Sequence, residues 1–348
     1  MKRLWMQAAA AAAALCLATG AAFAQPAVPR LDEPATVKLG WTLGSITLAG
    51  VYVAMEKGYF RDANINVELV TVDNINALIA PIATGQIDIA TGGPSAGFFN
   101  ALARGVKLRI VADQNTARPG MSSIALMVRK DLIDDGQVKT YADLRGRTIA
   151  VVSKRATMEL DVLKALKMGG LTKADVNMVN MGFPQMNLAF GSKNIDAALQ
   201  IEPLVTAAVA KNLAVRWKGV DEITPNRQNS FFIVSESFAA RRDVARAYMV
   251  AYLRGVRDYY DGIHKKKANR GEIIGILTRH TLVKDPAIYE KMIMPGIDPN
   301  GELNVASIQE ALDQFTADGD VKAKIDLDKV VDVSLIRYGQ KVLGRYEP

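Results

Sequence analysis

Cysteine is almost missing from this chain: Cys16 is the only one in 348 residues, and it falls inside a segment that reads as an export signal. A mature protein without cysteine has no disulfide, no thiol nucleophile, no cysteine-ligated metal and no iron–sulfur cluster. Histidine is nearly as scarce. His264 and His280 are the only two, which leaves little material for a histidine metal site or a Ser-His-Asp triad. Nor does one charge dominate. The formal net charge is +7, of which Lys2 and Arg3 supply two, leaving +5 for the mature chain. The densest basic run, His264-Lys265-Lys266-Lys267, closes an amphipathic helix where cations complement the dipole, and it lacks the interleaved aromatics of a nucleic-acid surface. Beyond the N-terminus no apolar run is long enough to span a bilayer, and no internal repeat recurs at a fixed period. Stability must come from core burial alone, for which about 320 mature residues supply two domains of ordinary size.

The residues that are present begin with an address. Lys2 and Arg3 form a positive n-region, Ala8 to Ala18 an apolar h-region, and Ala22-Phe23-Ala24 a small-residue cleavage pattern. The alternatives are an uncut anchor, for which the apolar run is short, and lipid attachment at Cys16, which lacks the usual leucine followed by small residues; residues 1–24 are therefore expected to be removed on export, leaving a soluble chain with no stable membrane insertion. Residues 25–35, rich in proline and polar side chains, read as a loose leader.

From Val37 the chain repeats strand, turn and helix. Val37–Trp41 is a first strand, Leu48–Lys57 a helix closed by Gly58, and Ile65–Val72 a second strand, with Asn74 placed to cap the next helix. Ile87-Asp88-Ile89-Ala90-Thr91-Gly92-Gly93-Pro94-Ser95 reads as a buried strand running through a glycine turn into a helix, with Pro94 at its first position and Gly105 as its stop. The free N–H groups of Gly93, Ser95 and Ala96, with the Ser95 hydroxyl, suit an anionic or polar acceptor; strand, Gly-Gly, helix is equally an ordinary connection. A fourth strand, Leu108–Ala112, enters the polar loop Asp113–Gly120. After the strand Ile124–Arg129 comes a second βαβ series, with strands at Thr148–Val152, Val176–Met181 and Ala197–Ile201. The chain re-enters a strand at Ser230–Val234, and the remainder is helical, with Val244, Ala247, Tyr248, Ala251, Tyr252, Val256 and Tyr259 on one stripe. Repeated βαβ units imply parallel sheets with right-handed crossovers, and two series imply two lobes.

Four elements, in order, then carry a resemblance. They are Val51-Tyr52-Val53-Ala54-Met55-Glu56-Lys57-Gly58-Tyr59-Phe60 with Ile65–Val70; Ala83-Thr84-Gly85-Gln86-Ile87-Asp88-Ile89-Ala90; Leu144-Arg145-Gly146-Arg147-Thr148-Ile149-Ala150-Val151; and Gly191-Ser192-Lys193-Asn194-Ile195-Asp196-Ala197 leading to Glu202-Pro203. The chain from Val37 to about Phe238 resembles the bacterial solute-binding proteins for nitrate, taurine and alkanesulfonate, the NMT1/THI5-like group. The resemblance implies a type II periplasmic binding protein fold: two doubly wound α/β lobes, a central ligand cleft and two crossover hinge strands. Lobe 1 is expected over residues 36–123 plus 231–348, and lobe 2 over 124–230. It also implies a periplasmic monomer without a cofactor that passes a small molecule to an ABC permease and its ATPase.

In open α/β sheets ligands sit beyond the C-terminal ends of strands, which nominates the site by position. From lobe 1 these are Trp41, Thr42, Gly44 and Ser45, then Gly93, Pro94 and Ser95. From the hinge loop come Thr116, Arg118 and Ser122, with Arg118 suited to a carboxylate or sulfonate and equally readable as a surface arginine beside proline. From lobe 2 come Arg155, Ala156 and Thr157, with Arg155 bringing a charge to the ligand or pointing to solvent, and Gln185 with Asn187. Glu202, Asn229 and Ser230 complete the set. Glu202 in a cleft would repel an anion unless paired. Met121, Met158, Met181 and Met186 suit an apolar portion of a ligand or plain core filling. The expected ligand is a small organic anion, a sulfonate, a taurine-like molecule or a carboxylate, with or without an aromatic portion, and a thiamine-pyrimidine precursor or other heterocycle is the alternative. A ligand-sensing subunit is a further reading. A pyrimidine synthase is disfavoured, because those relatives use a cysteine-rich motif and an active histidine.

Overall fold

The computed structural model describes residues 27–42, 46–72 and 75–347. Gly44, Ser45 and the Asn74 cap, like the export signal up to Ala24, lie outside them, and of Thr42 only the backbone is described.

Two mixed five-stranded sheets form the frame. The first contains β1 (Ala35–Thr42), β2 (Ile65–Val72), β3 (Ile89–Gly92) and β4 (Leu108–Thr116). The second contains β5 (Ile124–Arg129), β6 (Thr148–Val151), β7 (Asn177–Asn180), β8 (Ala197–Ile201) and β9 (Ala214–Gly219). The chain then returns as β10 (Gln228–Ser235) to the first sheet. The strand orders are β2-β1-β3-β10-β4 and β7-β6-β8-β5-β9. Within each sheet the βαβ strands run parallel, and one strand is antiparallel to both its neighbours: β10 between β3 and β4, β5 between β8 and β9. Each of these two strands comes directly after a crossing between sheets. Around residue 117 the outgoing and returning segments are hydrogen bonded to each other, Ala117 N–H to Arg227 O at 2.8 Å and Asn226 N–H to Ala117 O at 2.8 Å.

Side-chain alternation divides the first lobe's core into two layers. Phe232 and Val234 of β10 join Val37, Leu39 and Trp41 of β1 on one face, while Phe231 and Ile233 join Phe98, Phe99, Ile308 and Phe315 on the other. The stripe predicted on the long helix is buried as expected: Arg242–Ile263 packs Tyr248, Tyr252, Val256 and Tyr259 into the first layer against helix Ala49–Glu56. Gly255 and Gly50 set this approach, since a Cβ on Gly255 would lie 2.2 Å from the Gly50 carbonyl oxygen. The second sheet has its own core around Leu126, Val128, Ile149, Val162, Leu166, Phe190 and Leu199. No helix among the described residues is long and apolar enough to cross a membrane.

Three local expectations change. The strand predicted to end at Ala112 continues to Thr116, because hydrogen bonding to β10 outweighs the poor strand propensity of Asp113, Gln114 and Asn115. The helix after Gly93 starts at Ala96, with Ser95 as its N-cap in place of Pro94 as its first residue; Ser95 Oγ accepts from Phe98 N–H at 3.2 Å. Strand β9 is an addition to the elements expected from sequence.

Candidate ligand-binding cleft

A cavity lies where both sheets present their strand ends. The first lobe contributes Trp41 at the end of β1, Thr91 to Pro94 at the end of β3 and the turn after it, Gln114 and Asn115 on β4, Asn229 and Ser230 on β10, and Thr47 and Leu48 at the start of a helix. The second contributes Ile124, Val152, Ser153, Ala156, Thr157, Met158, Phe183 and Ile201. Among the described residues, no charged side chain, histidine or cysteine lines it.

Its polar side comes from two irregularities between β4 and β10. Gln228 pairs with Thr116 and Ser230 with Asn115, which leaves Asn229 as an extra residue; Phe231 then pairs with Asp113, which leaves Gln114 as another. Residues displaced in this way leave the ladder and change aim, a device common beside binding sites. Both line the cavity. Trp41 Nε1, Gln114 Oε1, both amide atoms of Asn115 and of Asn229, and Ser230 Oγ are buried without a hydrogen-bond partner. Buried polar groups are ordinarily satisfied, so such a cluster at one cavity marks a place where a ligand or water completes the bonding. Beneath it, Asp113 accepts from Thr116 Oγ1 at 3.0 Å, Gln228 Nε2 at 2.6 Å and Asp298 N–H at 2.8 Å. Its complete burial outweighs these bonds and pushes its carboxyl up to about 6.

Gly93 is required by close approach: a Cβ there would lie 2.2 Å from the Asn229 carbonyl oxygen. The turn joins the lobes. Ser95 and Ala156 form an antiparallel bridge, with Ala96 N–H donating to Arg155 O at 2.9 Å and Thr157 N–H to Pro94 O at 3.2 Å. The Ala96 N–H nominated for a ligand is therefore already engaged across the lobes, and the Ser95 oxygen accepts in the helix cap. Helix Thr157–Met168 reaches further into the first lobe, where Leu160 packs with Phe98, Phe231 and Leu312 and the buried Asp161 faces Arg227 Nε at 3.1 Å.

Of the nominated residues, Trp41, Gly93, Pro94, Ala156, Thr157, Asn229 and Ser230 meet at this cavity, and so does Met158. The other nominees with described side chains do not line it. Arg118 pairs with Asp298, and Arg155 adopts a φ of +56° with its side chain 68% exposed and 3.0 Å from Asp320. Thr116 is held by Asp113, and Ser122 Oγ donates to Ile124 O at 2.8 Å. Gln185 is exposed, and Asn187 bridges Gln200 Nε2 to Leu204 O. Glu202 is buried, accepts from Thr206 N–H at 2.9 Å, Thr206 Oγ1 at 2.8 Å and Ile293 N–H at 3.4 Å, and burial pushes it up to about 7. These bonds tie the turn after β8 to helix Leu204–Ala210 and to Ile293. Gln114 and Asn115 line the cleft although the positional rule passes over them; the available signal is a pair of amides at the polar end of an apolar strand.

Two sheets of matched topology, each carrying an antiparallel strand after a crossing and both facing one cavity, define a two-lobed periplasmic binding fold. The chain belongs to the family described as NMT1/THI5 like, whose model matches residues 45–262. A protein of Escherichia coli (strain K12), named for the binding of aliphatic sulfonates, is 23% identical over 308 residues, 86% of this chain and 90% of that protein. The alkanesulfonate-binding protein SsuA from Xanthomonas axonopodis pv. citri, solved bound to MOPS, superposes with a TM-score of 0.69 at 18% identity, over 87% of this chain and all of the other. The periplasmic nitrate-binding protein NrtA from Synechocystis PCC 6803 gives a TM-score of 0.72 at 17% identity, over 89% of each chain. In these cases the chain is similar to solute-binding proteins.

Proposed function

We infer that this chain is the exported solute-binding component of an ABC uptake transporter, a periplasmic monomer that captures a small organic molecule between its lobes and delivers it to a permease and its ATPase. The observation that carries this reading is the convergence of unpartnered Trp41 Nε1, Asn115, Asn229 and Ser230 in one cavity whose other wall is Leu48, Ile124, Val152, Phe183 and Ile201. Apolar walls with few convergent polar groups are the usual build of a small-molecule site. The donors suit the oxygens of a carboxylate, sulfonate or carbonyl. With Arg118 and Arg155 paired elsewhere, any negative charge on the ligand is met by neutral donors and not by an arginine. Hinge closure would then form the surface the permease reads.

Thermal melts of the mature protein against a panel of sulfonates, carboxylates, nitrate, carboxamides and pyrimidines test the reading. At least one class is expected to raise Tm in a concentration-dependent way; no shift across the panel contradicts it. Export is tested separately: Ala24→Tyr is expected to leave the precursor at full size on a gel, and normal processing would refute cleavage after Ala24.

A further inference from the structure

The unpartnered atoms of the cleft are of both kinds. Trp41 Nε1, Asn115 Nδ2 and Asn229 Nδ2 are donors; Gln114 Oε1, Asn115 Oδ1 and Asn229 Oδ1 are acceptors; Ser230 Oγ is either. Asn115, Gln114 and Asn229 are only 1%, 2% and 7% exposed, so the cleft and not bulk solvent has to satisfy them. A plain oxyanion answers the donors alone. It leaves Gln114 Oε1, Asn115 Oδ1 and Asn229 Oδ1 without a donor, and among the described residues no lysine, arginine or histidine lines the cavity to offset the charge.

We propose that the ligand's head is uncharged and carries an N–H donor beside a C=O or S=O acceptor, as in a primary carboxamide, a lactam or a sulfonamide. The amides of Asn115 and Asn229 are the residues that select it. This rests on reading the cleft as a solute site. Asn115 is the ladder partner of Ser230, and Asn229 is the displaced residue beside it, so the two amides stand at one level of adjacent strands. A head that both donates and accepts can pair reciprocally with such amides, each N–H with a carbonyl. The apolar body of the ligand then lies toward Leu48, Ile124, Val152 and Phe183. A site built on such bonds discriminates strongly against a ligand that lacks one of the two functions.

The test is calorimetric titration of the exported mature protein with two matched pairs, benzamide against benzoate and benzenesulfonamide against benzenesulfonate. The ring supplies the apolar body in all four. The uncharged member of each pair is expected to bind at least about tenfold more tightly, and Asn115→Leu with Asn229→Leu is expected to bring the ratio close to one. The wild-type pairs stand as a test even if the double variant does not fold. Tighter or equal binding of the anions, or no binding by any of the four, overturns the headgroup assignment. Binding of the anions alone overturns the headgroup assignment and leaves the solute-binding reading intact, which the broader melting panel tests separately.

Discussion

At the level of single residues, Arg155 and Gly93 stand on the same rim with opposite expectations. The Arg155 guanidinium is exposed and paired with Asp320, away from the cavity lining. Exposed pairs contribute about 0–1 kcal/mol, so Arg155→Ala should change ligand affinity by less than about threefold. A loss of about tenfold by calorimetry would place the guanidinium on the ligand. Gly93 has no room for a side chain, because the obstructing atom is the backbone oxygen of Asn229. Gly93→Ala should therefore lower stability by about 1–3 kcal/mol in urea unfolding, and shift the Asn229 amide enough to abolish ligand-induced thermal stabilisation. Wild-type behaviour in both measurements would show that β3 and β10 yield to the methyl group. In sequence the arginines read as candidate anion receptors because their spacing from strands is visible there, whereas Asp298 and Asp320, which occupy them, lie far along the chain.

At the level of elements, the contact between helices Ala49–Glu56 and Arg242–Ile263 depends on two glycines meeting. Gly255→Ala should cost about 1–3 kcal/mol despite the better helix propensity of alanine, since its methyl group meets the Gly50 carbonyl oxygen. Greater stability in urea would mean that the helices separate freely. The turn after β8 predicts a pH effect. Burial raises the Glu202 carboxyl to about 7 from its usual 4.5. Between those values the folded state holds a proton that the unfolded chain has released, so stability falls as pH rises from about 4.5 to about 7. The contribution is on the order of 3 kcal/mol. Glu202→Gln should flatten that part of the stability–pH curve, and an unchanged slope would assign it to another group, Asp113 being raised in the same sense.

Strands and helices with strong periodicity are legible without coordinates: the parallel βαβ series and the stripe from Val244 to Tyr259 come from spacing alone. The bulges that expose Gln114 and Asn229 are not, because they arise from the pairing of β4 with β10, whose residues lie more than a hundred positions apart. For the same reason the polar end of β4 reads as a loop in sequence. Its strand character is conferred by a partner, not by its own residues.

At the scale of the whole molecule, the two lobes carry their own cores yet share a rim, through the Ser95 and Ala156 bridge, the Asp161 and Arg227 pair and Leu160 seated in the first lobe. The cavity between them, mostly apolar and with no charged side chain among its described lining residues, is the place proposed for the solute. Native mass spectrometry of the exported protein, purified without added ligand from cells grown on mixed organic solutes, tests that claim most directly. A small organic adduct is predicted on the wild-type chain, released on unfolding and absent from the Asn115→Leu, Asn229→Leu variant. An adduct retained in equal amount by that variant, or a wild-type chain that carries none, would contradict it.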